Sequence, residues 1–418
     1  MENGNMSVPM ALEGIRILDL SRLLPGPYCS MVLSDLGAEV IKIEEVSTRG
    51  AMGRDILTPP NAPPEEELVH NAYNPLARNK KSIAINLKEG AGREIFGKLV
   101  LTADVVLEAY RPETLARLGV DYQTMAELNP RIIYCSISGY GQDGPYRDLP
   151  GHDANYAAVA GATSITSDDH GNPVGTTFPV VDLTSGLMAA IGILSALRAR
   201  ETTGRGQYVD IGMLDSAMQM VITYVSRYLR DGRVPLRSEP SLRVVQTADG
   251  KYLSTQNVES YFWERFCKTI GRPDLIALRT AGREQRRRAY ATAREVLATK
   301  TRDEWFELLS AADTCSAPVL EIDEVVENPQ VQHREMILTF DHPTEGKVRQ
   351  IGLPIKLSDT PGRFRDFAPL LGQHTNEILK ELGLSGEAID RLHRDGVVKI
   401  ATDGTSETMP SNGRPARG

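Results

Sequence analysis

The sequence predicts a two-domain α/β protein whose larger part is built on a parallel sheet. Three observations lead there. Short apolar runs alternate with helical periodicities from Ile15 to Ile211, and strands separated by helices join as parallel neighbours through right-handed crossovers. Beyond residue 216 the alternation stops, and a hairpin signal followed by short helices marks a smaller domain. Finally, 418 residues with 41% hydrophobic content are enough to fill two ordinary cores.

The elements follow in order. Ile15–Leu20 reads as a buried strand, Met31–Leu36 after Leu-Pro-Gly-Pro as a helix, and Glu39–Ile43 as a second strand. A helix around Glu89–Leu101, a strand at Asp104–Leu107, a short helix ending near Leu118 and a strand at Arg131–Ile137 continue the pattern. The apolar stretch Leu183–Arg200 is a long helix, followed by the strand Gln207–Ile211. Asp249-Gly250 signals a hairpin, and Tyr261–Ile270, Arg286–Ala298 and Arg302–Ala311 are short helices. Beyond residue 335 come short strands and two helices, the last around Gly386–Asp395, and Thr402–Gly418 is polar, aperiodic and expected to be disordered. The expected boundaries are 10–215 for the first part of the large domain, 216–335 for a linker helix and the small domain, 336–400 for the return to the large domain, and 401–418 for the tail.

Several function classes are excluded by composition. A net charge of −8 offers no basic excess for a nucleic-acid backbone, and 24% charged residues is an ordinary soluble level. Cys29, Cys135, Cys267 and Cys315 have neither zinc-site nor disulfide-framework spacing, so no metal site is expected. No targeting segment and no membrane-spanning run is read, which makes a cytoplasmic protein without a membrane partner the expectation. The Gly139-Tyr-Gly-Gln-Asp-Gly144 stretch has the letters of a dinucleotide fingerprint. Pro145, Asp148 and Pro150 nevertheless predict a loop where that fingerprint needs a helix N-terminus. P-loop, nucleophile-elbow and zincin motifs are absent from the sequence.

The candidate chemistry lies between residues 150 and 190. Asp182 stands immediately before the long helix, where an aspartate is ordinarily an N-cap; the positive helix end also keeps a carboxylate ionised and offers N–H groups to a neighbouring oxyanion. Cap and reactive carboxylate are compatible roles. His152, in a Gly-His-Asp loop, has an imidazole suited to proton transfer near neutral pH, or to an ordinary loop contact with Asp153 or a backbone carbonyl. Asp153 equally suits a local turn. Glu259 follows a strand-like stretch and precedes a helix, a routine position for a first-turn acid.

These residues sit within a longer resemblance. Leu12–Leu20, Gly26-Pro27, Asp35–Glu44, Asn79–Ile83, Ala103–Pro112, Arg117–Gly119, Ser138–Pro145, Gly204–Gln207 and Leu371–Ile378 resemble, in order, the superfamily of family III CoA-transferases and α-methylacyl-CoA racemases (CaiB/BaiF type). The resemblance implies a Rossmann-like large domain with a parallel sheet built from both chain ends, a smaller inserted α+β domain, and an interlocked homodimer. It further implies an acyl-CoA substrate, with coenzyme A present only as part of that substrate and no tightly bound cofactor.

Two reactions of the superfamily use an aspartate matching Asp182. In the transferases it is a nucleophile that carries acyl and CoA groups covalently; in the racemases a proton leaves the carbon beside the thioester and returns from the opposite face, which needs a second acid/base group. His152 in Gly-His-Asp-x-Asn-Tyr and Glu259 in Val258-Glu-x-x-Phe262 resemble the racemase pair of base and orienter. On that set the leading expectation is a racemase of 2-methylacyl-CoA thioesters, acting through an enolate held by helix-terminal N–H groups. CoA transfer through a covalent Asp182 intermediate is the alternative, and a non-catalytic CoA-binding homologue is a third reading. Asp182-Leu-Thr-Ser-Gly186 itself resembles the transferases, whereas the glycine-rich lid of formyl-CoA transferases is missing, which disfavours that enzyme. By resemblance, Lys42, Arg111 and Arg117 are expected at the coenzyme's phosphates or adenine, and Leu23, Ala109 and Tyr110 along its path.

Overall fold

The computed structural model describes residues 8–46, 71–168, 170–234 and 242–401. These form two compact units: residues through Thr166, Val174–Arg233 and everything from Glu335 on make the first, and Ser167–Pro173 with Val234–Arg334 the second. The expected tail Thr402–Gly418 lies outside the described residues.

The first unit is organised by a seven-stranded sheet in the order β12-β3-β2-β1-β4-β5-β6. Its strands are β1 (Arg16–Asp19), β2 (Glu39–Glu44), β3 (Lys80–Ile85), β4 (Val105–Glu108), β5 (Ile133–Ser138), β6 (Tyr208–Gly212) and β12 (Val398–Lys399). β1 to β6 pair in parallel, while β12 is antiparallel on the edge strand β3. Successive residues alternate between two cores. Leu18, Ile41, Ile83 and Val106 face one layer, whereas Ile17, Val40, Val105 and Ile133 face the other. With both faces buried, the strands are near-continuous apolar runs, which is why they were legible as strands.

The first layer contains α2 (Gly90–Val100), α3 (Tyr122–Leu128), α14 (Thr375–Glu381) and α15 (Gly386–Arg394), packed through Phe96, Met125, Ile378 and Ile389. The second contains α1 (Pro25–Asp35), α4 (Asp153–Val159), the single turn α5 (Ala162–Ile165), the long α6 (Val180–Thr203) and α7 (Met213–Met220), with α8 (Ile222–Asp231) following. The Leu-Pro-Gly-Pro stretch opens α1 instead of preceding it, because a proline in the first turn forfeits no helical hydrogen bond. Gly186 allows α6 to approach α1: a Cβ there would lie 2.6 Å from the Pro25 carbonyl oxygen.

The return of the chain completes the sheet from its other end. His374 N–H donates to Ser82 O at 2.9 Å, and Ser82 N–H donates to His374 Nδ1 at 3.1 Å. Further along, buried Asp35 accepts a bidentate Arg78 guanidinium at 3.0 and 2.6 Å and the Asn79 amide at 2.7 Å. Asn79, at φ 59°, in turn accepts the Arg365 N–H at 2.6 Å, which pins the returning segment. The hairpin β10 (Ile337–His342) and β11 (Gly346–Ile351) closes a small Phe340/Phe364/Phe367 cluster.

The second unit carries the antiparallel sheet β7 (Val244–Gln246), β8 (Tyr252–Thr255) and β9 (Ser316–Val319), with the hairpin turn at Asp249-Gly250 and Gly250 at φ 76°. Against it lie α9 (Ser260–Thr269), α10 (Arg283–Leu297) and α11 (Arg302–Ala311) around Trp263, Phe266 and Trp305, with α12 (Ile322–Glu327) and α13 (Pro329–His333) following. The small unit is therefore α+β; its main part runs from Val234, and the expected linker helix from 216 lies within the first unit. Residues 213–231 are α7 and α8 of the first unit, where α7 packs on α6. One further expectation needs correcting. α6 is long and apolar enough to cross a membrane, yet its Ala189, Ala190, Ile193 and Ala196 lie in the core.

Candidate active site

The crossover β5–α6–β6 runs α6 against the strand direction, so its N-terminus arrives at the carboxyl edge of the sheet. There the strand order reverses between β1 and β4, the place where open α/β sheets hold ligands. The loops after β1 (Ser21–Leu24), β4 (Ala109–Glu113) and β5 (Gly139–Gly144) gather at this edge. The β5 loop runs through turns until α4 begins at Asp153, so Gly139–Gly144 delivers no helix N-terminus, as its prolines predicted.

Asp182 is the third residue of α6, not its cap, which is Pro179. The capping role belongs to Asp153. Its Oδ2 accepts the N–H groups of Val181 at 2.6 Å and of Asp182 at 3.0 Å. Instead of closing a local turn, Asp153 reaches across the fold to the helix end. This also corrects the expectation that those amides face an enolate or oxyanion, since Asp153 already occupies them.

The consequence falls on Asp182. Its carboxylate accepts no hydrogen bond from any described residue, and its pKa rises from 3.8 to about 6. Burial is the main cause and the negative charge of Asp153 adds to it, with the nearby His152 pulling the other way. The helix field that would hold the pKa down is largely met by Asp153. At neutral pH the group is ionised in most molecules while being desolvated and unbonded, the state that makes a carboxylate nucleophilic.

His152 is the N-cap of α4, its backbone N–H bonded to Asn155 Oδ1 at 3.0 Å, and it is exposed. Tyr156, one turn on, was not singled out in the sequence. Its hydroxyl donates to Gly151 O at 2.6 Å, and its ring fills the space beside Gly139 and Gly151, where a Cβ would lie within 2.6 to 2.7 Å of it. Burial pushes its hydroxyl up to about 12, with Tyr140 and Asp182 adding to the rise and Arg111 opposing it. His152, Asp153, Asp182, Tyr156 and Arg111 thus belong to one neighbourhood. The sequence signal that could have found Tyr156 is the pair Gly139 and Gly151, which leave room for its ring.

Glu259 is exposed at the N-cap of α9, in the second unit, and forms no capping hydrogen bond. Of the coenzyme candidates, Arg111 and Arg117 are exposed on the β4 loop and the turn after it, and Leu23 is 41% exposed at φ 63° in the β1 loop. Ala109 and Tyr110 are half-buried at the switch point, and the Arg22 guanidinium sits 4.4 Å from the centre of the Tyr110 ring. Lys42 does not fit its expected role. It is buried on β2, and its charge helps hold down the carboxyl of buried Asp19. No group of three or more His, Cys, Asp or Glu side chains among the described residues is arranged to hold a metal.

The fold and this edge define an α/β protein with a bare carboxylate at a helix start beside the switch point of its sheet. The sequence model of CoA-transferase family III matches residues 12–375, and the chain belongs to that family. A human succinyl-CoA:glutarate CoA-transferase is 34% identical over 93% of this chain and 90% of its own length. A formyl-CoA:oxalate CoA-transferase of Streptomyces avermitilis is 32% identical over 93% and 99%. Among solved structures, a CAIB/BAIF family protein from Brucella suis superposes with a TM-score of 0.77 at 28% identity, covering 90% of this chain and all of that one. The human and Streptomyces relatives are named as CoA-transferases, which supports the alternative expectation better than the racemase.

Proposed function

We propose that this enzyme transfers coenzyme A between carboxylic acids through a covalent intermediate on Asp182. The observation that carries the reading is the Asp182 carboxylate itself, desolvated, unbonded and ionised above about pH 6. It attacks the thioester carbonyl; the C–S bond breaks, CoA thiolate leaves, and a mixed anhydride remains on Asp182. The thiolate then attacks the aspartyl carbon and releases the donor acid, giving an aspartyl thioester. The acceptor carboxylate displaces the thiolate as a second anhydride forms, and thiolate attack on the acceptor carbonyl completes the new thioester and restores Asp182.

Racemisation requires a second acid/base group held in position, and the His152 side chain is exposed to solvent. The names of the relatives, in which succinyl-CoA and glutarate recur and oxalate also occurs, support short dicarboxylates as donor and acceptor acids. The same reading includes a homodimer. Leu187, Ile191 and Leu194 on α6 and Met220, Ile222 and Leu229 after it supply exposed apolar surface in its support.

Incubation with succinyl-CoA and glutarate, analysed by mass spectrometry, tests the reading. Glutaryl-CoA is expected, with 18O passing from labelled glutarate into released succinate by way of Asp182. Deuterium incorporation into a 2-methylacyl-CoA in D2O, with no CoA transfer to any short dicarboxylate, would overturn it.

A further inference from the structure

One buried carboxylate at the sheet edge takes no part in the transfer chemistry. Glu108 ends β4 at the switch point and is 5% exposed. Its Oε2 accepts the Tyr110 N–H at 2.7 Å, and Ser136 Oγ donates to Oε1. No cation among the described residues pairs with it, and Asp210 on β6 adds a like charge that acts on it. Burial, opposed by the Ser136 and Tyr110 hydrogen bonds, lifts its pKa to about 7. An uncompensated buried carboxyl is costly, and a core position does not retain one for packing alone.

What Glu108 holds is the turn that leads out of β4. The bond to the Tyr110 N–H fixes the backbone two residues on, and the Tyr110 ring then meets the Arg22 guanidinium from the β1 loop at 4.4 Å. The two loops that border the switch point are thereby joined by a stacked cation and ring. A guanidinium backed by an aromatic ring offers a flat, positively charged face, suited to a purine ring and to the phosphates attached to it.

We propose that Glu108 is a positioning residue for the coenzyme: it turns the Tyr110 backbone so that Tyr110 and Arg22 form the face on which the nucleotide end of coenzyme A is held. This rests on the reading that the enzyme takes CoA thioesters at this edge of the sheet. Its role is separate from that of Asp182, because it bears on binding of the nucleotide and not on acyl transfer.

The test uses the full chain and calorimetric titration with 3′-phosphoadenosine 5′-diphosphate, the nucleotide half of coenzyme A, alongside coenzyme A itself. Glu108→Ala is expected to weaken both at least tenfold and to raise KM for succinyl-CoA with kcat within about twofold, while Glu108→Gln, which keeps an acceptor for the Tyr110 N–H, stays within threefold of wild type. A purely structural Glu108 would lower thermal stability and active fraction and leave the dissociation constants unchanged. Should Glu108→Ala fail to fold, Arg22→Gln, at an exposed position, must weaken the nucleotide to a similar degree. Unchanged nucleotide affinity in folded Glu108→Ala, or in Arg22→Gln, overturns the proposal. Failure of wild type to bind coenzyme A would instead overturn the functional reading beneath it.

Discussion

Asp19 and Asp182 are both aspartates at the carboxyl edge of the same sheet, held in opposite ways. Asp19 is fully buried and saturated: Ser21 N–H donates at 2.8 Å, Ser30 Oγ at 2.5 Å and Lys80 Nζ at 3.3 Å, with the Ser21 hydroxyl as a further donor. Burial alone would raise its pKa, but Lys80, Lys42 and the hydroxyls outweigh it and hold the carboxyl below its ordinary value. Lys80, for its part, is pushed down to about 8 by burial, against the pull of Asp19. Asp182 has burial without donors, and its pKa moves the other way. A carboxylate whose lone pairs are filled ties a fold together, whereas one left bare in a desolvated place is available for a bond to carbon.

The contrast can be broken most sharply at Asp182. Asp182→Asn is expected to lower transfer by about 10³-fold or more while coenzyme A binding survives, as removal of a covalent nucleophile does. Titration calorimetry beside a transfer assay checks both halves. The same variant sharpens the comparison through stability. Asp182 has a folded pKa near 6 against 3.8 unfolded, so its contribution is fully present below pH 3.8 and is lost as pH rises through 6. Asn should therefore gain stability at pH 8, by about 1 kcal/mol once partial exposure is allowed for, and gain none at pH 3. Thermal melts at the two pH values decide this.

At Asp19 the opposite result is expected. Lys80→Met leaves a buried carboxylate without the cation hydrogen-bonded to it and should cost about 3–5 kcal/mol of unfolding free energy, measured by urea denaturation. Next in size is the pH profile of kcat/KM, which should fall with unit slope below about pH 6 as Asp182 is protonated. Asp153→Asn keeps an acceptor for the Val181 and Asp182 amides and removes a negative charge, so that limb should move to lower pH. A limb that stays in place would show that Asp153 acts on Asp182 only through geometry. The smallest effect is expected for His152→Ala, with transfer within about threefold of wild type; a loss of about 10³-fold would return His152 to the centre of the chemistry.

Much of the architecture was legible because the parallel strands are covered on both faces. Ile15–Leu20, Glu39–Ile43 and Arg131–Ile137 announced themselves as apolar runs, and the helix expected at 302–311 is found there, closed by a reciprocal cap of Thr301 and Glu304. Less legible were elements whose signals are positional. α3 starts on the Asp121 side chain after a run of turns, and β3 at Lys80–Ile85 opens with two lysines, one of them neutralised only by Asp19 from another strand. Lys42 misled for the same reason: a lysine in a strand reads as surface charge until the neighbouring strand supplies its partner.

At the site, residue types were readable and assignments were not. The sequence alone determined that Asp182 lies at the start of a long helix, though as its cap and not its third residue, that Gly139–Gly144 is a loop and that the chain resembles family III CoA-transferases, since each rests on local pattern or ordered motifs. Only the tertiary structure decided that Asp153, 29 residues away, caps that helix and leaves Asp182 bare. It likewise decided that Tyr156 locks against Gly139 and Gly151 and that Glu108 braces the turn carrying Tyr110. The physical reason is that a carboxylate's reactivity depends on which donors and charges surround it, and those arrive from strands and helices far apart in the chain.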